Sequence, residues 1–394
     1  MENEIALSLS RNYVGHWSWK EAIRELIQNA LDCKDHRITT YFDGSLVIAT
    51  GDGAISRTAL LLGESGKKDG DKIGHFGEGL KLALLILARE EYEVTVKSGK
   101  DVWTPSLKFS EQFQTECLHI SIETDEEAPE SEVVITVNGL SREQLEFVDS
   151  MYIHQSLNEL AVVEHEGNRV YDPKDLMGDG FDPDRDEAVP KVFVGGLYVC
   201  DLPEGYHYSY DLRPNRINLD RDRRTVGDWD MAWEVSRLFT EAGRADLLVN
   251  LSEMDAEDVK GYTETHRSYS RYGSSSHVDS QNFDERLKAL ASQSFIERNG
   301  PKAIPVNMNM EQGKRRLYNL AITRAGYHPV LIKPAEFAMI GDGIKLPDDV
   351  TIISKPDVLK ELEAILDQYK IAPAPRGKIK ALVERIKEFE EFSK

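Results

Sequence analysis

Three polar residues in the segment EAIRELIQNALDCKD (21–35), Glu25, Asn29 and Asp32, have the types and spacing of a metal-assisted hydrolytic site. At about 100° per residue, Asn29 falls about 40° to one side of Glu25 and Asp32 about 20° to the other. Ile23, Leu26, Ile27, Ala30 and Leu31 take the opposite face. The stretch 18–34 therefore reads as an amphipathic helix that packs on a sheet and shows carboxylate, amide and carboxylate as one polar stripe. An amide oxygen is a neutral ligand for Mg²⁺, which takes oxygen donors and keeps waters and phosphates around it. A carboxylate one turn away can orient and deprotonate a water that attacks a terminal phosphate. Taken alone, the stripe also fits an ordinary solvated helix face, because short motifs recur by chance.

A second group lies in IGHFGEGLKLALLILA (73–88), where Gly74, Gly77 and Gly79 precede an apolar helix expected over 80–89. Glycines let backbone N–H groups approach an anion, and a helix N-terminus adds partial positive charge. Lys81 falls in the first turn, within reach of a phosphate. No strand runs directly into these glycines, which disfavours a dinucleotide fold, and the pattern G-x-x-x-x-G-K-[ST] is absent. A third group is VIATGDGAISRTALLLGESGKKDG (47–70). There a carboxylate after a strand, Asp52, is placed to accept from the amino group of a base, with Gly53 admitting the flat ring; a plain turn is the simpler alternative. The glycines from Gly63 to Gly79 predict a lid over a bound ligand.

In order and spacing the three groups resemble the motifs of the GHKL superfamily: gyrase B subunits, ninety-kilodalton heat-shock chaperones, histidine kinases and MutL. RELIQNALD is similar to the chaperones' first motif, and IGHFGEGLK to the lid of microrchidia ATPases. The resemblance covers about residues 20–140. It implies a Bergerat-type helix/sheet sandwich that binds ATP and Mg²⁺ and hydrolyses the nucleotide. Glu25 would be the general base and Asn29 the magnesium ligand, with Asp32 supporting the ribose or water network. Asp52 and Gly53 would meet adenine, together with Ser131 in ESEVVITVNGL, a looser match. Lys67, Gly74, Phe76, Gly77, Glu78, Gly79, Leu80 and Lys81 would surround the phosphates, mostly through backbone. The family usually reads D-x-G-x-G before an aliphatic residue, whereas T-G-D-G-A precedes Ile55 here. A gapless alignment puts Thr50 at the base-reading position and a two-residue deletion puts Asp52 there. Asp52 is preferred because a carboxylate accepts more strongly.

The elements that must hold these groups follow from the pattern. A hairpin over 38–50 with Asp43-Gly44 as a type I′ turn, and strands at 92–97, 117–123 and 133–138, give an α+β sandwich. A helix is expected over 141–165, and 172–190 (DPKDLMGDGFDPDRDEAVP) reads as a linker whose acidic cluster lacks the EF-hand spacing. Strands at 191–200 and 206–212 lead to DLRPNRINLDRDRRTVGDWD and a helix over 227–243. This arginine segment faintly resembles the catalytic-arginine loop of the chaperones' middle domain. Among Arg213, Arg216, Arg221, Arg223 and Arg224, the resemblance favours Arg221 and Arg223 for the γ-phosphate, against surface Asp–Arg pairs as the plainer reading. The expected domains are an ATP-binding domain over 1–165, a transducer-like middle domain over 166–265, a linker at 266–284, and a small α/β domain with a C-terminal helix over 285–394. In that last part, strands at 303–308 and 328–334 flank a helix at 311–325, and Pro373 and Pro375 precede a basic helix over 377–392.

Of the 394 residues 40% are apolar and 30% charged, and the net charge is −21. That charge disfavours non-specific nucleic-acid binding, which depends on Lys and Arg. No run of about 18 apolar residues predicts a membrane span. The start MENEIALSLSRNYVGHW lacks a signal peptide's regions, and three scattered cysteines form no disulfide framework, so a cytoplasmic location is expected. The leading expectation is an ATPase whose cycle drives a conformational switch, with an ATP-dependent homodimer and an unknown protein client. The alternatives are a module that binds ATP without significant turnover and an ATP-gated nucleic-acid clamp. A histidine kinase is disfavoured, since few residues precede Asn29 and Glu25 favours attack by water.

Overall fold

In VVITVN and SLVIAT every second residue, Val133, Ile135 and Val137 in the one and Leu46 and Ile48 in the other, is a large apolar residue, which lets one side of a sheet pack against helices. A computed structural model of the chain describes residues 3–51, 53–60, 78–128, 131–177, 187–217, 228–262, 280–352 and 355–391. The chain divides into two compact units, Met1–Leu238 and Phe239–Lys394.

In the first unit, seven antiparallel strands lie in the order β1-β6-β5-β4-β7-β3-β2. They are β1 (Asn3–Ser10), β2 (His36–Tyr41), β3 (Ser45–Thr50), β4 (Glu93–Ser98), β5 (Asp101–Ser110), β6 (Thr115–Thr124) and β7 (Val133–Asn138). Helices α1 (Trp19–Leu31) and α2 (Gly79–Arg89) cover one face. Leu46, Ile48, Val94, Val96, Ile120, Val133, Ile135 and Val137 from the strands enclose a core with Ile23, Leu26 and Ile27 of α1 and Leu82 to Leu87 of α2. The α+β sandwich expected from the sequence is therefore present. α1 is amphipathic, whereas α2 is buried over nearly its whole length, as expected of a helix that is apolar all round.

A second, five-stranded mixed sheet has the order β11-β10-β12-β9-β8. It comprises β8 (Val163–His165), β9 (Asn168–Tyr171), β10 (Lys191–Val194), β11 (Leu197–Asp201) and β12 (Ser209–Leu212), with β10 and β12 parallel. Helix α4 (Asp228–Glu241) follows. The second unit contains α5 (Ala245–Glu253), α6 (Ser280–Asn299), a parallel pair β13 (Ala303–Asn307) and β14 (His328–Ile332) joined through α7 (Gln312–Arg324), and α8 (Pro334–Ile340). The helix pair α9 (Lys355–Gln368) and α10 (Pro373–Glu391) packs through Leu359, Leu366 and Val383. The small α/β unit is thus as the sequence predicts. Among the described residues no helix is long and apolar enough to cross a membrane.

Several local expectations are corrected. The helix expected over 141–165 is α3 (Arg142–Asp149), a 3-10 turn and then β8, because Tyr152 forms a bridge with Leu197 and tertiary pairing overrides the helical period. The strand expected over 191–200 is two, folded at Gly195 and Gly196 with φ of 59° and 82°. Asp43-Gly44 is not a type I′ turn: Tyr41 pairs with Ser45, so the loop has three residues, and of these only Gly44 takes positive φ. The C-terminal helix begins at Pro373, where a missing N–H costs nothing in the first turn. The expected linker 266–284 lies largely outside the described residues.

Candidate functional site

Helix α1 is fixed at both ends before its polar stripe is presented. Ser18 caps it, with its hydroxyl close to Lys20 N and its N–H donated to Glu21 Oε2 at 2.8 Å, a capping box that satisfies the first-turn amides. Trp19 N donates to Glu90 Oε2 at 3.2 Å, so the start of α1 lies by the end of α2. The two helices run in opposite directions, and this carries the middle of α1 past the start of α2. Arg89 braces the same corner by donating to the carbonyl of Trp17 at 2.5 Å.

At that crossing the structure brings Glu25 against Gly79. A Cβ on Gly79 would collide with Glu25 Oε2 and stand 3.1 Å from Cδ, so the carboxylate occupies the space that glycine leaves open. Glu25, Asn29 and Asp32 are all half-buried, while Ala22, Ile23, Leu26, Ile27 and Ala30 are buried, which places the stripe where the period predicts it. Gln28 is also buried, at 2% exposure, a polar residue the pattern did not flag.

The first intrahelical bond of α2 runs from Leu82 N to Glu78 O at 3.0 Å. The N–H groups of Gly79, Leu80 and Lys81 precede it and form the donor end of the helix, where partial positive charge favours anions. Glu78, Gly79 and Leu80 are half-buried, but the Lys81 side chain is 1% exposed and lies in the buried layer. Lys81 thus belongs to the core layer as well as to the helix start. Asp52, Lys67, Gly74, Phe76, Gly77, Arg221 and Arg223 lie outside the described residues, as does Arg224.

The base end of the expected site is partly described. Thr50 pairs with His36 and Val133, on the same sheet face as Leu46 and Ile48, and so points toward the helices. Gly53 has φ of 113° and a Cβ there would meet nothing within 4 Å, so backbone conformation and not close approach calls for glycine. Ser131 is exposed in the turn before β7. The hydroxyl that holds the segment after Asp52 is Ser98: its Oγ accepts from Ile55 N at 2.7 Å and donates to Ile55 O at 3.1 Å. Two residues on, Arg57 makes a bidentate pair with Asp101, 2.6 Å for each bond, and this guanidinium lowers the Asp101 pKa below the usual carboxylate range. Sequence reasoning missed both anchors. Ser98 was legible as a polar residue at the third inward position after Val94 and Val96.

Among the arginines of the later segment, Arg216 is committed to structure, paired with Glu234 of α4 at 2.9 Å and 6% exposed. Arg213 is held through its backbone, N–H to Asn168 Oδ1 at 3.0 Å. A separate cleft of about 430 Å³ opens beside the β2–β3 hairpin, lined by His36, Arg37, Thr50 and Tyr152 among others. Of the residues expected at the nucleotide site, its lining includes Thr50. Among the described residues no group of three or more His, Cys, Asp or Glu side chains is set to hold a metal, and no disulfide joins Cys33, Cys117 and Cys200. A magnesium ion with a nucleotide asks for less: one amide oxygen, waters and phosphates suffice, and Asn29 supplies that donor type one turn from Glu25.

No family model matches the chain. It is 25% identical over 234 residues to an uncharacterized protein of Mycoplasma pneumoniae (strain ATCC 29342 / M129 / Subtype 1), a match covering 55% of this chain and 88% of that protein. Among solved structures it is similar to the crystal structure of the B-subunit of the DNA gyrase from Myxococcus xanthus. That alignment has 11% identity and a TM-score of 0.27, and covers 53% of this chain and 82% of the other. A likeness of that size carries no weight for fold or function. The architecture above rests on the strand order and core of this chain.

Proposed function

We propose that residues 20–140 form a Bergerat-type site that binds ATP with magnesium and hydrolyses it. One observation carries the reading: the Glu25 carboxylate lies against Gly79 at the donor end of α2. A terminal phosphate bound by the N–H groups of Gly79, Leu80 and Lys81 would then stand next to a carboxylate able to align a water and take its proton. Asn29 would hold the magnesium through its amide oxygen, and the bound ion would neutralise phosphate charge. Asp32 would order the surrounding water or ribose. Ser98 and the Arg57–Asp101 pair would fix the segment that follows Asp52, whose carboxylate would read the base; Gly53 and Ser131 would border it. Arg221 and Arg223 remain our candidates for the cation that meets the γ-phosphate, with Lys67, Gly74, Phe76, Gly77 and Glu78 completing the phosphate end.

The cycle would switch the conformation of the protein on an unknown protein client, with a homodimer formed when ATP binds. A second reading has a specific observation in its favour. A carboxylate at a helix N-terminus is electrostatically favoured whether or not it does chemistry, so Glu25 would suit a module that binds ATP without turnover. Glu25→Gln separates the two. Loss of general-base assistance is expected to cut phosphate release by about 10²–10⁴-fold with nucleotide affinity retained. Phosphate release equal to wild type would reject the catalytic role.

A further inference from the structure

We propose that Asp211, in the second sheet, is a positioning residue for the helix that carries Glu25 and Asn29, acting through the Gly195–Gly196 turn that abuts the end of that helix. The proposal rests on the nucleotide site for its catalytic consequence, but its geometry stands without it.

Asp211 lies in β12 at 4% exposure. Its Oδ1 accepts from Gly196 N at 2.7 Å, and Gly195 N donates to Leu212 O at 2.8 Å, so β12 clamps both residues of the β10–β11 turn. Gly196 has φ of 82°, and a Cβ there would meet Leu31 Cδ2 at 3.6 Å. The turn is therefore seated against the last residue of α1. The same turn is tied into the first sheet's connections: Gly196 O accepts from Ile153 N at 2.8 Å, and Tyr198 N donates to Met151 O at 2.8 Å. From α1, Arg24 Nη2 donates to Tyr198 O at 3.2 Å. α1 is thus touched at Arg24, beside Glu25, and at Leu31, beyond Asn29.

A buried carboxylate is a costly way to hold one turn amide, since its desolvation is only partly repaid. Around it stand Arg169 of β9, at 3.7 Å from Oδ2 and itself paired with Glu164 of β8, and Tyr171 of β9, whose pKa burial and the Asp211 carboxylate push up to about 12. The guanidinium is too far for a short bidentate pair. The short bond is the one to Gly196, and that bond reaches α1.

The test uses the full chain in three variants, Asp211→Ala, Asp211→Asn and Arg24→Ala, read by amide hydrogen exchange without nucleotide and by ATP turnover. Asp211→Ala removes the acceptor: exchange over residues 26–33 should quicken while β5 and β6 keep their protection. Turnover should lose roughly tenfold in kcat, the size expected of a small misplacement, with KM within about twofold of wild type. Asp211→Asn keeps an acceptor oxygen and should restore both. Unchanged protection of α1 in Asp211→Ala, or an Asn variant as impaired as Ala, overturns the proposal. Should Asp211→Ala fail to fold, Arg24→Ala decides, and unchanged exchange and kcat there overturn it equally. Faster exchange of α1 in Asp211→Ala, together with a wild-type protein that shows no ATP turnover, would uphold the latch and reject the nucleotide site instead.

Discussion

The Glu25 carboxylate and the Cα of Gly79 share a space too small for a methyl group. Gly79→Ala should therefore push the carboxylate away from the start of α2 while leaving the helix intact. A displacement of about 1 Å in a catalytic group can cost on the order of 10²-fold. Phosphate release should fall by that order, and a variant with wild-type turnover would show that the contact has no catalytic meaning. Ser98 makes a different kind of prediction. Ser98→Ala leaves the Ile55 N–H without its acceptor, which should cost about 1–3 kcal/mol in urea unfolding. The polar stripe on α1 was legible because a helical period fixes which side chains share a face. The burial of Lys81 was not read from its own position, although LALLILA, apolar all round, marks a buried helix.

At the scale of elements, β4 was readable because EVTVKS alternates apolar with polar residues, and β3 and β7 because SLVIAT and VVITVN are short runs rich in β-branched residues. β5 escaped notice: DVWTPSLKFS carries Pro105 mid-strand, yet β5 pairs with β6 from Asp101 to Ser110. The expected long helix after residue 141 failed for a reason no local period shows, a pairing between Tyr152 and Leu197 from distant parts of the chain. In the second sheet, burial raises the Asp211 pKa to about 6, against an ordinary carboxylate value of 3.8. The sign follows directly. A carboxyl group that binds its proton more tightly when folded favours the folded state at low pH, and that contribution fades as pH rises through the range from about 4 to 6. Removing the ionisation with Asp211→Asn should flatten this part of the stability curve and leave the variant at least as stable as wild type at pH 7. Thermal unfolding from pH 4 to 7 checks it; an unchanged slope would mean that the carboxyl titrates alike in both states.

For the whole molecule the dominant quantity is charge, 48 basic against 69 acidic residues for a net −21. Two copies brought together by nucleotide repel, so the proposed homodimer should tighten with added salt, since a Debye length of about 10 Å at 0.1 M screens that repulsion. Sizing with a non-hydrolysable ATP analogue at low and moderate salt tests this, and a mass that stays monomeric under both would count against dimerisation. The same charge argues against the clamp reading, because phosphate contacts by Lys and Arg supply most nucleic-acid affinity. The second unit's parallel β13–β14 pair was plain from two apolar runs flanking a helix.

A crystal structure with magnesium and a non-hydrolysable ATP analogue tests the central claim most directly. The account predicts phosphate oxygens on the N–H groups of Gly79 to Lys81, the metal on the Asn29 amide oxygen, and Glu25 within one water of the terminal phosphate. Nucleotide bound elsewhere, or a Glu25 carboxylate turned away from that phosphate, would contradict it.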